Sequence, residues 1–177
     1  IKNGANINYC SECLVTQSAL DIAISKKMAP MAKLLIWMGA DFNNANGNKK
    51  VSPLENSIKS GLTEISKILI EKGVNINKIC IQNKTILEVA ADYEAFETAE
   101  LMINKGLNLL DKEEKAAKIL LDKSILNHNK EFTKFLIKKG ANPFFSREEF
   151  LEFRKSYIDY VHLELDSIES LNAKLNF

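Results

Sequence analysis

No apolar stretch in the sequence approaches the roughly 18 to 20 residues that a membrane-spanning helix requires, so a membrane span is not expected. An excess of charge of either sign is also missing, since 24 Lys+Arg face 23 Asp+Glu for a formal net charge of +1. Dedicated nucleic-acid binders and polybasic membrane modules need a surplus of Lys and Arg, which argues against both classes. Cysteine is scarce. Cys10, Cys13 and Cys80 cannot all pair with one another, and a chain of 177 residues needs no disulfide staple, so a reducing, intracellular and cytoplasmic setting is expected. Arginine is nearly absent, at two against 22 Lys, and Asn and Ile are abundant, the bias of A/T-rich coding sequence. The chain opens on Ile1 rather than Met, with no basic region leading into an apolar core, and is therefore expected to be a fragment with sequence missing upstream. With 46% hydrophobic residues it can build a substantial core as one domain or one uniform array.

The motifs of catalysis are missing as well. There is no Gly-rich phosphate loop, no Gly-x-Ser-x-Gly elbow and no His-Glu-x-x-His. His128 and His162 have no credible nucleophile partner in the sequence, so no enzyme and no cofactor is expected within these residues. Cys10-Ser-Glu-Cys13 has the spacing of half a zinc site or of a redox pair, but no second ligand pair is visible and no metal is assigned.

A repeat dominates what is present. Five segments combine an apolar run, a Gly and an Asn or Asp two residues on: Gly4 to Asn6, Gly39 to Asp41, Gly73 to Asn75, Gly106 to Asn108 and Gly140 to Asn142. Successive glycines recur with a period of about 34 residues, in the range of helical repeat arrays. Each of the last four is preceded by a Leu at one constant distance, Leu20 before Gly39, Leu54 before Gly73, Leu87 before Gly106 and Leu121 before Gly140. The small variation in period therefore falls between each Gly and the next Leu. That places a rigid unit on one side and a tolerant loop on the other.

Within the rigid unit a short helix is expected to start near Ser18, Ser52 and Thr85, whose hydroxyls cap free N–H groups. Asp21, Glu55, Glu88 and Asp122 then fall in the first turn, favourable to the helix dipole. A second helix is read from Met31, Leu34, Leu35; Ile65, Ile68, Leu69; Leu101, Met102; and Phe132, Phe135, Leu136. The glycines sit where that helix stops, in the left-handed region.

These stretches resemble the ankyrin repeat, with its period of about 33 residues and its T-P-L-H-x-A signature. The resemblance rests on Ser18–Ala23 with Leu34–Asn43, Ser52–Ser57 with Ile68–Asn77, Thr85–Ala90 with Leu101–Asn108, and a degenerate Ile119–Ser124 with Phe135–Asn142. It implies an all-α fold, an ankyrin-repeat solenoid of stacked helix-turn-helix units with a C-terminal helical cap. The expected boundaries are the tail of a truncated repeat and loop over 1–13, four repeats over 14–145 and the cap over 146–177. Two departures stand out. The family's His after the Leu is an acid in all four copies, so its hydrogen bonds between loops must be replaced or absent. The Gly between the helices survives only as Gly61, with Lys27, Glu94 and His128 elsewhere, each at a cost of ~1 kcal/mol if a left-handed conformation is required.

Residues 1–8 read as the end of a repeat whose helices lie upstream, leaving the apolar edge of the first complete repeat exposed. At the other end Ser146-Arg-Glu-Glu149 has capping-box form and Phe150, Phe153, Tyr157, Ile158, Val161 and Leu165 follow at helical spacing, as a terminal cap or as a docking helix. Lys33, Lys67, Lys134 and Lys138 are expected to face solvent, and Trp37, at a helix end where partial exposure is expected, to pack against the next loop, with a contact residue as the alternative.

The resemblance also implies function, since such stacks bind partner proteins on a concave face. Its contact positions lie six, five and three residues before the signature Leu and five and six after it. Here they are Leu14, Val15, Gln17, Ser25, Lys26; Asn48, Lys49, Val51, Lys59, Ser60; Ile81, Gln82, Lys84, Asp92, Tyr93; and Lys115, Ala116, Lys118, Leu126, Asn127. Aliphatic and aromatic anchors ringed by lysines suggest a protein partner with an acidic segment, bound by a monomer. A bacterial effector acting on host proteins is one setting, and a regulatory or targeting domain of a larger enzyme whose catalytic part lies outside this chain is the alternative.

Overall fold

The structure, a computed structural model, describes residues 6–9, 17–43, 51–77, 84–109 and 115–141. Among the described residues there are eight helices and no strand: α1 (Ala19–Ser25), α2 (Ala29–Trp37), α3 (Pro53–Lys59), α4 (Thr63–Glu71), α5 (Ile86–Asp92), α6 (Phe96–Asn104), α7 (Lys115–Leu126) and α8 (Lys130–Lys138). They fall into two compact units, Ile1–Leu107 with α1 to α6, and Asn108–Phe177 with α7 and α8. The expected cap over 146–177 and the Cys10–Cys13 segment lie outside the described residues.

The first helices begin where a hydroxyl is available. Ser18 Oγ accepts the Asp21 N–H at 3.2 Å while the Asp21 carboxylate accepts the Ser18 N–H at 2.8 Å. Thr85 and Glu88 repeat the arrangement at 3.2 and 2.7 Å. In α3, Ser52 Oγ accepts the Glu55 N–H at 3.1 Å, and Pro53 occupies the first turn, where an N–H would lack a partner anyway. Asp21, Glu55 and Glu88 are all buried. Where the family carries a His, an acid thus stands beside its own helix start, and in α1 and α5 it closes a reciprocal cap.

The fourth copy departs from the expectation. Ile119 stands where the hydroxyl should be, and the upstream Lys115-Ala-Ala-Lys118 favours helix, so α7 runs through and extends to 12 residues. Asp122 consequently lies in the middle of α7 and is exposed, not in a first turn.

Both turns of every repeat close in the same way. After α4, Gly73 adopts φ +84° and donates to Ile70 O at 3.1 Å, while Val74 donates to Leu69 O at 3.0 Å. Between the paired helices Gly61 (φ +69°) is joined by Lys27, Glu94 and His128 at φ +57°, +55° and +57°, so three side chains do occupy the left-handed region.

In the first unit α1, α3 and α5 pack in one row and α2, α4 and α6 in a second row behind it. The buried face of the second helices is Ala32, Leu35, Ile36; then Ile65, Ser66, Leu69, Ile70; then Thr98, Ala99, Met102, Ile103. This corrects the face read from spacing alone: Met31 and Leu34 are exposed, and Ile68 and Leu101 half-buried. In the second unit α7 packs on α8, whose Phe132, Thr133 and Leu136 are buried.

The point where each helix pair closes carries a matched pair of small residues. It is Ala23 with Ala32, Ser57 with Ser66, Ala90 with Ala99, and Ser124 with Thr133, all buried. Ser57 and Ser66 hydroxyls lie 2.8 Å apart, and those of Ser124 and Thr133 2.9 Å. Hydroxyls occur at this point in facing pairs or not at all. Each hydroxyl also donates to a carbonyl of its own segment, Ser57 to Leu54 O at 2.8 Å and Ser66 to Leu62 O at 3.3 Å, so Ser57→Ala should cost about 1 kcal/mol, and Ser57→Ala with Ser66→Ala less than the sum of the two single changes, because the bond the two hydroxyls share is lost only once. Urea midpoints of the four chains test this.

Thr98 lacks such a match. Its Oγ1 is buried with no hydrogen-bond partner, at the register where α4 has Ile65. Thr98→Val removes the orphan hydroxyl while keeping the shape, and should stabilise the chain by about 1 kcal/mol in the same measurement.

Three of the loops show what the Asn or Asp after the Gly does. Asn6, Asp41 and Asn75 side chains accept the N–H two residues on, at 2.9, 2.9 and 3.0 Å, forming Asx turns. The residue so placed then reaches the next loop. Asn8 Oδ1 accepts the Asp41 N–H at 2.8 Å, and Asn43 Oδ1 accepts the Asn75 N–H at 2.8 Å.

Candidate partner-binding surface

The expected contact positions sit where the first helices end and where chain enters them. Gln17, Lys26, Asp92, Tyr93 and Asn127 are exposed, and Val51, Lys59, Lys84 and Lys118 are half-buried. Leu14, Val15, Asn48, Lys49, Ile81 and Gln82 lie outside the described residues, and of Lys115 only the backbone is described. Among the other carried-over positions, Ser25 and Leu126 are exposed and Ser60 is half-buried, but Ala116 is buried within the lengthened α7 and presents nothing to a partner.

The third repeat brings three of these residues together. Lys84, just ahead of the cap Thr85, pairs with Asp92 at the end of α5 at 2.5 Å, and Tyr93 is the residue that caps that helix. The hydrogen bond to Asp92, then its charge, holds the Lys84 ammonium above its ordinary 10.5. Lys59 donates to the buried Glu55 at 2.6 Å. Two lysines of the expected basic ring are therefore already engaged.

On the second helices Lys33 pairs with Glu64 and Lys67 with Glu97, so that successive repeats are bridged in the same direction. The hydrogen bond to Glu97, then its charge, raises Lys67 above 10.5. A raised lysine favours the folded state below 10.5 and loses that effect only as pH climbs through the raised value, so these exposed pairs respond to salt rather than to pH near neutrality.

Trp37 differs most from expectation. It ends α2 with 81% of its surface exposed, where partial exposure with packing against the next loop is expected. The sequence did hold a signal: Glu71 and Asn104 stand at that register in the next two repeats. Among the described residues no group of three or more His, Cys, Asp or Glu is placed to hold a metal ion, and no helix is long and apolar enough to cross a membrane.

Paired helices of near-constant register, closed by left-handed turns and joined by Asx-turn loops, define a helical repeat protein. The family model described as ankyrin repeats (3 copies) matches residues 20–116, and the chain belongs to that family. Its repeats are generally modules of protein–protein interaction. Similar proteins include Alpha-latrotoxin-Lg1a of Latrodectus geometricus, 28% identical over 111 residues, which is 61% of this chain and 8% of that protein. Transient receptor potential channel pyrexia of Drosophila melanogaster is 30% identical over 90 residues, 51% of this chain and 9% of the channel. An ankyrin repeat protein of Acanthamoeba polyphaga mimivirus is 29% identical over 115 residues, 63% of this chain and 67% of its own length. The matched stretch thus spans under a tenth of the first two relatives.

Proposed function

We propose that this chain binds a partner protein through the first-helix ends and loops of its repeats, with Tyr93 as the central anchor. One observation carries the reading. The signature residues Leu20, Leu54 and Leu87 are consumed by stacking, while Lys26, Asp92 and Tyr93 at the ends of the same helices project. An aromatic beside a Lys–Asp pair offers area for burial with polar groups around it, the composition of a contact patch. An acidic segment on the partner is supported by the lysines at these positions, with the Lys59 and Lys84 pairs as competitors that the partner must displace or leave intact. No catalytic role is proposed for these residues. Composition alone supports a reducing cellular setting and delivery into a host cell.

Affinity capture from cell lysate with the wild-type chain, against a control carrying charge reversals at Lys49, Lys84 and Lys118, tests the reading. A protein retained by the first and lost from the second is the expected result; equal retention rejects the lysine-ringed surface. Retention that instead tracks nucleic acid and collapses steeply as salt rises would replace the protein partner with phosphate binding.

A further inference from the structure

The near-neutral charge of the whole chain hides a segregation. Residues 115–141 hold seven lysines against two acids, Asp122 and Glu131, whereas residues 84–109 hold two lysines against five acids and residues 51–77 are balanced. The positive charge of the described residues is concentrated in α7 and α8. Helix stability does not account for it. Five of the six helices of the first unit carry an acid in their first turn, the end where the helix dipole favours negative charge. Helix α7 opens instead on Lys115 with no acid in its first turn, and α8 opens on Lys130.

Along α8, Lys130, Lys134 and Lys138 follow one another at every fourth residue, and like charges at that spacing destabilise a helix. Nor are they neutralised. Lys33 and Lys67, at the register of Lys134 in the first unit, pair with Glu64 and Glu97, but Lys130, Lys134 and Lys138 are exposed and form no ion pair among the described residues. The three charges stand about 6 Å apart along about 12 Å of helix, the spacing of carboxylates carried at every fourth residue of a second helix. Other polyanions fit less well. Phe132 is buried, and Lys139 covers the half-buried ring of Phe135 with its ammonium 5.4 Å from the centroid, so no aromatic of α8 stands open for a base to stack on. Helix α8 also exposes no large apolar side chain that could enter a lipid surface.

We propose that α8 is a docking face for an acidic helical segment of a partner protein, with Lys130, Lys134 and Lys138 each meeting a carboxylate. Helix α8 belongs to the second unit and Tyr93 to the first, so the two contacts can fail separately.

The probe is an alanine-based helical peptide with Glu at every fourth position, set against a peptide of the same composition whose Glu residues are scrambled out of that spacing. Binding to the intact chain is read at low salt by fluorescence anisotropy. The periodic peptide should bind about tenfold tighter than the scrambled one, and Lys130→Gln with Lys134→Gln and Lys138→Gln should lose about that factor. Lys27→Gln with Lys72→Gln and Lys105→Gln, which removes as many exposed charges from the first unit, should change the affinity by less than about twofold. The melting temperature of the α8 variant should not fall, because only like charges are separated; a fall would show that the lysines serve the fold and would overturn the proposal. Equal weakening by both triple variants, equal affinity for the two peptides, or tighter binding of a DNA oligonucleotide or of phosphatidylserine vesicles in the same buffer would overturn it as well.

Discussion

Leu69→Ala should lower the stability of the chain by about 2 to 5 kcal/mol, measured as a fall in the urea midpoint. Leu69 lies in the middle of α4, is 0% exposed, and its carbonyl accepts the Val74 N–H that closes the turn after the helix. Helix α4 is held on three sides, by its partner α3 and by α2 and α6 of the neighbouring repeats. A cavity there cannot be closed by one helix moving inward without loosening another contact, which sets the cost toward the upper part of the range. Repeats contact only their neighbours, so a fall in the slope of the transition would show that the array has separated into parts. A loss under about 1 kcal/mol with an unchanged slope would show that the core relaxes, against the close packing described above.

Tyr93→Ala should weaken partner binding by about 2 kcal/mol or more, about 30-fold in Kd, while changing stability by no more than about 0.5 kcal/mol. The tyrosine is 51% exposed, and its part in the fold is a backbone one, its N–H donating to Val89 O at 3.2 Å. Alanine keeps that bond. Binding and urea unfolding are measured on the same preparations. If Tyr93→Ala unfolds the protein while binding per folded molecule is intact, the ring is a packing residue and the contact surface lies elsewhere.

Much of the architecture was legible because each signal is local. A hydroxyl two residues before Leu20, Leu54 and Leu87 satisfies backbone N–H groups of its own helix, and the Gly that follows each Leu at a constant distance terminates the next helix, so neither depends on distant residues. The same locality explains the error at the fourth copy. Carrying the register across from Leu87 to Leu121 placed Asp122 in a first turn, although Ile119 offers no cap and helix-forming residues precede it.

The exposed apolar residues were harder to place. Helical spacing groups Met31 and Leu34 with Leu35 on one face, and the hydrophobicity of a methionine is the same whether a neighbour covers it or not. Trp37, at a helix end where partial exposure is expected, projects instead of packing against the next loop.

The repeat period, the helix starts and stops, the turn positions that require a left-handed backbone and the family resemblance can all be read along the chain, because they follow from interactions within a few residues of one another. Three features emerge only once the helices are packed: which face of each second helix is buried, that Ser57 and Ser66 satisfy one another while Thr98 has no partner, and that the first repeat leaves Met28, Met31 and Leu34 in solvent. Burial and hydrogen-bond satisfaction are properties of pairs of elements brought together in space, and a one-dimensional pattern carries only one member of each pair.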